Sequence, residues 1–171
     1  MSKRDLKKYL SALDKEQVEE QLLDLYDKFR DVKIYYDFVF NPKEEKLVQE
    51  AKLKIANEYF PVKSKRPKLR RSVPQKYIKH FLTLGVDPFA LTDLMLFAIE
   101  TAMRYSSKKE MKYTSFYKSI LNAYEQVITY TIANGVVNDF RERITSVSQE
   151  VAKQRWENTY QFNELADSVN V

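Results

Sequence analysis

Cysteine is absent from the 171 residues, which removes disulfide frameworks, thiolate nucleophiles and Cys-based zinc sites and suits a reducing compartment. Only two glycines occur, Gly85 and Gly135. The patterning puts both at helix ends, so no glycine-rich loop is left to cradle phosphates, which argues against nucleotide hydrolysis and dinucleotide binding. With five prolines beside them, the many tight turns of an all-β chain have little to be built from. One histidine, His80, has neither a Cys nor a Ser-Asp signature for a partner and completes no Glu-x-x-His pair. No catalytic residue, metal or cofactor is therefore assigned; a non-enzymatic chain is the expectation, and an active site assembled from distant Asp, Glu, Tyr and Lys residues, in a closed polar pocket around His80, is the remaining alternative. Long apolar runs are missing too. The most apolar stretch, Pro88 to Met103, is broken by Asp93 and Glu100 and is too short and charged to span a bilayer. Charges at Lys3, Arg4 and Asp5, with no apolar run of about 7–15 residues after them, speak against a secretory signal. The expectation is a cytoplasmic protein away from membranes.

What the chain does have is a globular balance, 44% hydrophobic and 31% charged residues, in a length that buries roughly 70% of its unfolded surface as a single domain spanning residues 1–171. Helical periodicity runs through it. Ser2 with Asp5 opens a first helix bearing Leu6, Tyr9, Leu10 and Leu13, and Asp14 with Gln17 opens a second bearing Val18, Leu22, Leu25, Tyr26 and Phe29. A third follows Asp31. Asn41 and Pro42 read as N-cap and first helical position of a fourth, carrying Leu47, Val48, Ala51, Ile55 and Tyr59. The N-terminal helices thus occupy residues 1–60, and a loop without periodicity fills 61–71. Helix resumes at Ser72, in a Ser-Val-Pro-Gln pattern like a capping box, and closes at Gly85.

Asp87-Pro88 starts a helix whose apolar residues, from Leu91 to Met103, cover more than one face, as in a helix buried among others. Another runs from about Thr114 to the stop signal Asn134-Gly135. Val137, Phe140, Ile144, Val147 and Val151 mark a last one, which extends to Leu165 if Gln154 and Asn158 lie within its stripe. The C-terminal helices take up 72–166, and the tail 167–171 is expected to fray. The fold class is all-α, with seven to eight antiparallel-packed helices in a bundle or short array.

Positive charge is concentrated. Residues 1–60 hold 12 Lys or Arg against 13 acids, and residues 84–171 hold nine against 11. Residues 61–83 hold eight cations and no acid: Lys63, Lys65, Arg66, Lys68, Arg70, Arg71, Lys76 and Lys79. The whole net charge of +5 comes from this one segment. Such a concentration attracts polyanions, phosphates above all, and the backbone N–H groups of a helix starting at Ser72 add to the attraction. His80 and the rings near it extend the candidate anion-binding and nucleic-acid-binding set. A solvated loop serving solubility is the alternative. Among the aromatics, which otherwise fall on apolar stripes, Trp156 lies off the stripe of its helix and is the candidate exposed anchor for a partner.

Lys3-Arg4-Asp5-Leu6-Lys7-Lys8-Tyr9-Leu10, Tyr35-Tyr36-Asp37-Phe38-Val39-Phe40-Asn41-Pro42, Arg70-Arg71-Ser72-Val73 and Lys76-Tyr77-Ile78-Lys79-His80-Phe81 form a recognisable pattern. The chain resembles a family of small uncharacterised bacterial helical proteins, chiefly from Bacteroidota, classed as a domain of unknown function. The resemblance implies a bacterial cytosolic setting and one domain, and brings no activity, cofactor or catalytic residue with it. The functional expectation is a non-enzymatic helical interaction or adaptor protein, binding a protein partner or a second copy of itself. The alternative is nucleic-acid binding, to RNA or DNA phosphates, through residues 63–79.

Overall fold

The computed structural model describes residues 2–63 and 66–169. Nine helices and no strand are present among the described residues, one helix more than the upper end of the sequence reading. They fall into two compact units, Met1–Pro42 and Lys43–Val171.

The first unit comprises α1 (Lys3–Leu10), α2 (Lys15–Lys28) and α3 (Arg30–Phe40). Both expected capping boxes form: Ser2 and Asp5 exchange bonds at the start of α1, and Asp14 and Gln17 do so at the start of α2. α1 ends at Leu10, three residues before the expected Leu13, since Ser11, Ala12 and Leu13 lie in the turn. α2 and α3 are separated by the extended Phe29 alone, which serves both as the end of one and the start of the other. Tyr26 Oη donates to Asp37 Oδ1 at 3.3 Å, and Gln21 Nε2 donates to Tyr9 Oη at 2.8 Å. No residue of these three helices is buried.

The second unit contains α4 (Glu44–Tyr59), α5 (Ser72–Leu84), α6 (Pro88–Ser106), α7 (Thr114–Ala133), α8 (Val137–Lys153) and α9 (Thr159–Asp167). α6 is its centre and packs against α4, α5, α7 and α8. Its apolar residues cover several faces, and Leu91, Leu94, Leu96, Ile99 and Ala102 are essentially inaccessible, burial of each leucine or isoleucine stabilising by about 1.5–3 kcal/mol. Tyr124 of α7 is fully buried, yet its hydroxyl is satisfied by donating to the Ile144 carbonyl of α8 at 2.8 Å.

Two of the expected helix caps do not form. α4 begins at Glu44 with Lys43 at its cap, while Asn41 closes α3, its N–H donating to the Asp37 carbonyl. Ser72 is the first residue of α5 rather than its cap. Arg71 precedes it, and no side chain caps the helix. Gly85 and Gly135 close α5 and α7 in the left-handed region, with φ of 74° and 71°. In both, the next N–H reaches back to the carbonyl five residues earlier: Val86 to Phe81 and Val136 to Thr131. α8 ends in the same way without a glycine. Arg155 takes φ 56°, and the Trp156 N–H donates to the Val151 carbonyl at 3.3 Å. The stripe therefore does not continue from Val151 to Leu165 in one helix; α9 is separate. Within the expected tail Val169 is buried, and residues 170 and 171 lie outside the described residues.

Candidate nucleic-acid interface

The basic segment is clipped to the end of α4 by one acid. Glu58 is buried at 4% exposure, a costly place for a carboxylate unless it is fully bonded. Its carboxylate accepts from the Arg70 backbone N–H at 3.2 Å, from Arg70 Nε at 3.0 Å and from Arg70 Nη2 at 2.6 Å. Its carbonyl accepts from the N–H groups of Lys68 and Leu69. The two-pronged side-chain contact uses the planar fork that only arginine offers. Those hydrogen bonds hold the Glu58 carboxyl below its ordinary pKa and outweigh the opposing effect of burial. Leu69 sits at φ 54°, a conformation costing a non-glycine residue about 1–2 kcal/mol, which the five bonds to Glu58 offset. Next to it, Arg71 Nη1 donates to the Ser115 carbonyl in the first turn of α7. Arg70 and Arg71 thus shape the segment.

Lys63, Arg66 and Lys68 are exposed around this clip, and Arg70 keeps half of its side chain in solvent. Lys65 lies outside the described residues. On α5, Ser72, Lys76, Lys79 and His80 are exposed along one face, at spacings of three and four residues. The His80 ring lies 6.0 Å from that of the buried Phe81.

Other cations come to the same end of the second unit. Tyr105, near the end of α6, places its ring 5.9 Å from both Tyr59 and Phe60, so α6 finishes beside α4. Lys108, just beyond, holds its Nζ 5.8 Å over the Phe60 ring. The end of α8 joins them. Gln154 Nε2 donates to the Met103 carbonyl at 3.1 Å, and Ser106 Oγ donates to Gln154 Oε1 at 2.8 Å. Between the α6–α7 and α8–α9 links lies an open groove of about 900 Å³. Five cations line it, Lys108, Lys109, Lys112, Lys153 and Arg155, against the acids Glu110, Glu150 and Glu157. Tyr113, in the same link, is 74% exposed. α5 and α7 also begin at this end, and neither has a side-chain cap on its first N–H groups.

Sequence counting missed this second cluster because the acids of α6 to α9 conceal it in the regional balance. The signal was local, in Lys108-Lys109-Glu110-Met111-Lys112.

Trp156 is not an exposed anchor. It is buried at 6% exposure, its ring 4.9 Å from Tyr117, 5.9 Å from Phe116 and 5.8 Å from Phe162, with Nε1 donating to Gln154 Oε1 at 3.1 Å. Its position off the α8 stripe was measured on a helix that had already ended. As the residue after a left-handed turn, it folds back under the groove.

Among the described residues, no helix is long and apolar enough to cross a membrane. No curated protein and no solved structure matches the chain. A family model described as a family of unknown function, DUF6155, matches residues 1–170, and the chain belongs to that family.

Proposed function

We propose that the basic end of the second unit binds nucleic acid by its phosphate backbone, in the cytoplasm, without catalysis. The observation that carries this reading is convergence: cations separated by up to about ninety residues of sequence, from Lys63 and Lys68 through Lys108, Lys109 and Lys112 to Lys153 and Arg155, gather around the clipped segment and the groove. A loop that served only solubility has no need of cations from two other links. Several cations spaced over an open surface match a chain of phosphates better than a single small anion. The exposed Tyr113 ring, in the same link as Lys108, Lys109 and Lys112, offers a stacking platform, which favours single strands over duplex.

The test is fluorescence anisotropy with labelled single-stranded RNA, single-stranded DNA and duplex DNA over a range of salt. Affinity is expected to fall with rising salt, with the slope reduced by about one for each phosphate contact removed. Changing Lys108, Lys109 and Lys112 to Glu, or Lys63 and Lys68 to Glu, should each weaken binding at least about tenfold, and Tyr113→Ala should cost about 1–3 kcal/mol on single strands alone. Salt-independent binding, or binding indifferent to both charge sets, would sink the reading. Protein interaction is the second reading, and the observation favouring it lies in the first unit.

A further inference from the structure

The three helices of the first unit expose an apolar surface that an isolated unit of this size does not carry without cost. Leu23 is 65% exposed, Phe29 54%, Val39 48% and Phe40 75%. Seven of the eleven residues of α3 are aromatic or aliphatic and lie on all sides of the helix, a pattern belonging to helices that are covered all round. Yet α3 has no buried residue. A patch of this kind marks an interface.

Charge identifies the occupant. α1 carries four cations against one acid, net +3, and α2 carries five acids against two lysines, net −3. Among the described residues, the ion pairs of this unit stay inside α2, between Lys15 and Glu19 and between Lys28 and Asp24. None joins α1 to α2. A surface of one sign would call for a foreign partner of the other sign. A surface holding equal and opposite blocks beside an apolar patch is complementary to itself under a two-fold rotation, with α1 of each copy facing α2 of the other.

We infer that the first unit is a dimerisation module whose partner is a second copy of the same chain, sealed by the apolar residues of α2 and α3 and aligned by α1 against α2. The basic end takes no part, so the outcome is independent of nucleic-acid binding.

Sedimentation equilibrium of the full chain over a concentration series tests it, with helicity followed by circular dichroism. Wild type should form a dimer that weakens with salt. Leu23→Glu with Phe40→Glu should weaken it at least about tenfold, and these side chains are exposed enough for the helices to survive. Reversing α1 (Lys7→Glu with Lys8→Glu) or α2 (Glu16→Lys with Glu20→Lys) should each weaken self-association by about tenfold or more. An equimolar mixture of the two reversed chains should dimerise again, because each reversed helix then meets its complement. A chain that stays monomeric at every concentration overturns the inference and leaves the surface to a different protein. So does a dimer that none of these variants weakens, or a mixture of reversed chains that fails to pair.

Discussion

Arg155 holds the left-handed conformation that Gly85 and Gly135 hold at the ends of α5 and α7, with a β-carbon in the way. The strain of roughly 1–2 kcal/mol is borne because the turn delivers Trp156 into its aromatic surroundings. Arg155→Gly is expected to raise stability by about 1 kcal/mol in urea denaturation, while Arg155→Ala should not raise it. The same glycine variant removes one cation from the groove and should weaken RNA binding modestly, separating the two roles of the residue. Sequence patterning could not find this turn. Gly85 and Gly135 announce their helix ends because glycine alone enters that region at no steric cost, whereas Gln154-Arg155-Trp156 carries no such mark.

Between elements, Asp93 of α6 ties three helices together. It accepts from Lys52 of α4 and, at 2.7 Å, from Arg143 Nη1 of α8, whose Nε also donates to Glu100 at 2.9 Å. Burial pushes the Asp93 carboxyl up, but the bonds from Lys52 and Arg143 outweigh it and hold its pKa below the ordinary value. Asp93→Asn keeps the shape and removes the charge, leaving Lys52, whose side chain is only 19% exposed, without a counter-ion. A loss of about 2 kcal/mol is expected in thermal or urea melts, and smaller for Arg143→Lys, which retains a charge. In the sequence, Asp93 and Glu100 appear only as interruptions of an apolar run. Their partners lie 41 to 50 residues away, and only packing brings them in range.

For the whole molecule, two groups of opposite behaviour bound the pH range of stability. Glu58 and Asp93 have folded pKa values depressed below 4.5 and 3.8, so the unfolded chain takes up protons first as pH falls; their contribution is complete above those values and is lost below them. Tyr59 is pushed up to about 12 by burial, which outweighs the opposing charge of Arg71, and burial raises Tyr124 as well. The unfolded chain therefore loses those protons first, and stability declines as pH climbs above 10. Denaturation midpoints should be level between about pH 5 and 9 and fall on both sides. In Glu58→Gln the acid limb should flatten, with Leu69 and Arg70 losing order as the clip opens.

The all-α class, the six longer helices and the core stripe of α6 were legible in the sequence, since a period of 3.6 residues records which face of a helix must leave water whatever covers it. The location of the first basic segment was legible as well, as composition needs no fold to be counted. Packing alone decided that Glu58 would clip that segment, that Lys108, Lys109, Lys112, Lys153 and Arg155 would line one groove, and that Trp156 would turn inward. Periodicity is a property of a few consecutive turns. Convergence of charge depends on which helix ends come together, and that is set by core packing between residues far apart in the chain.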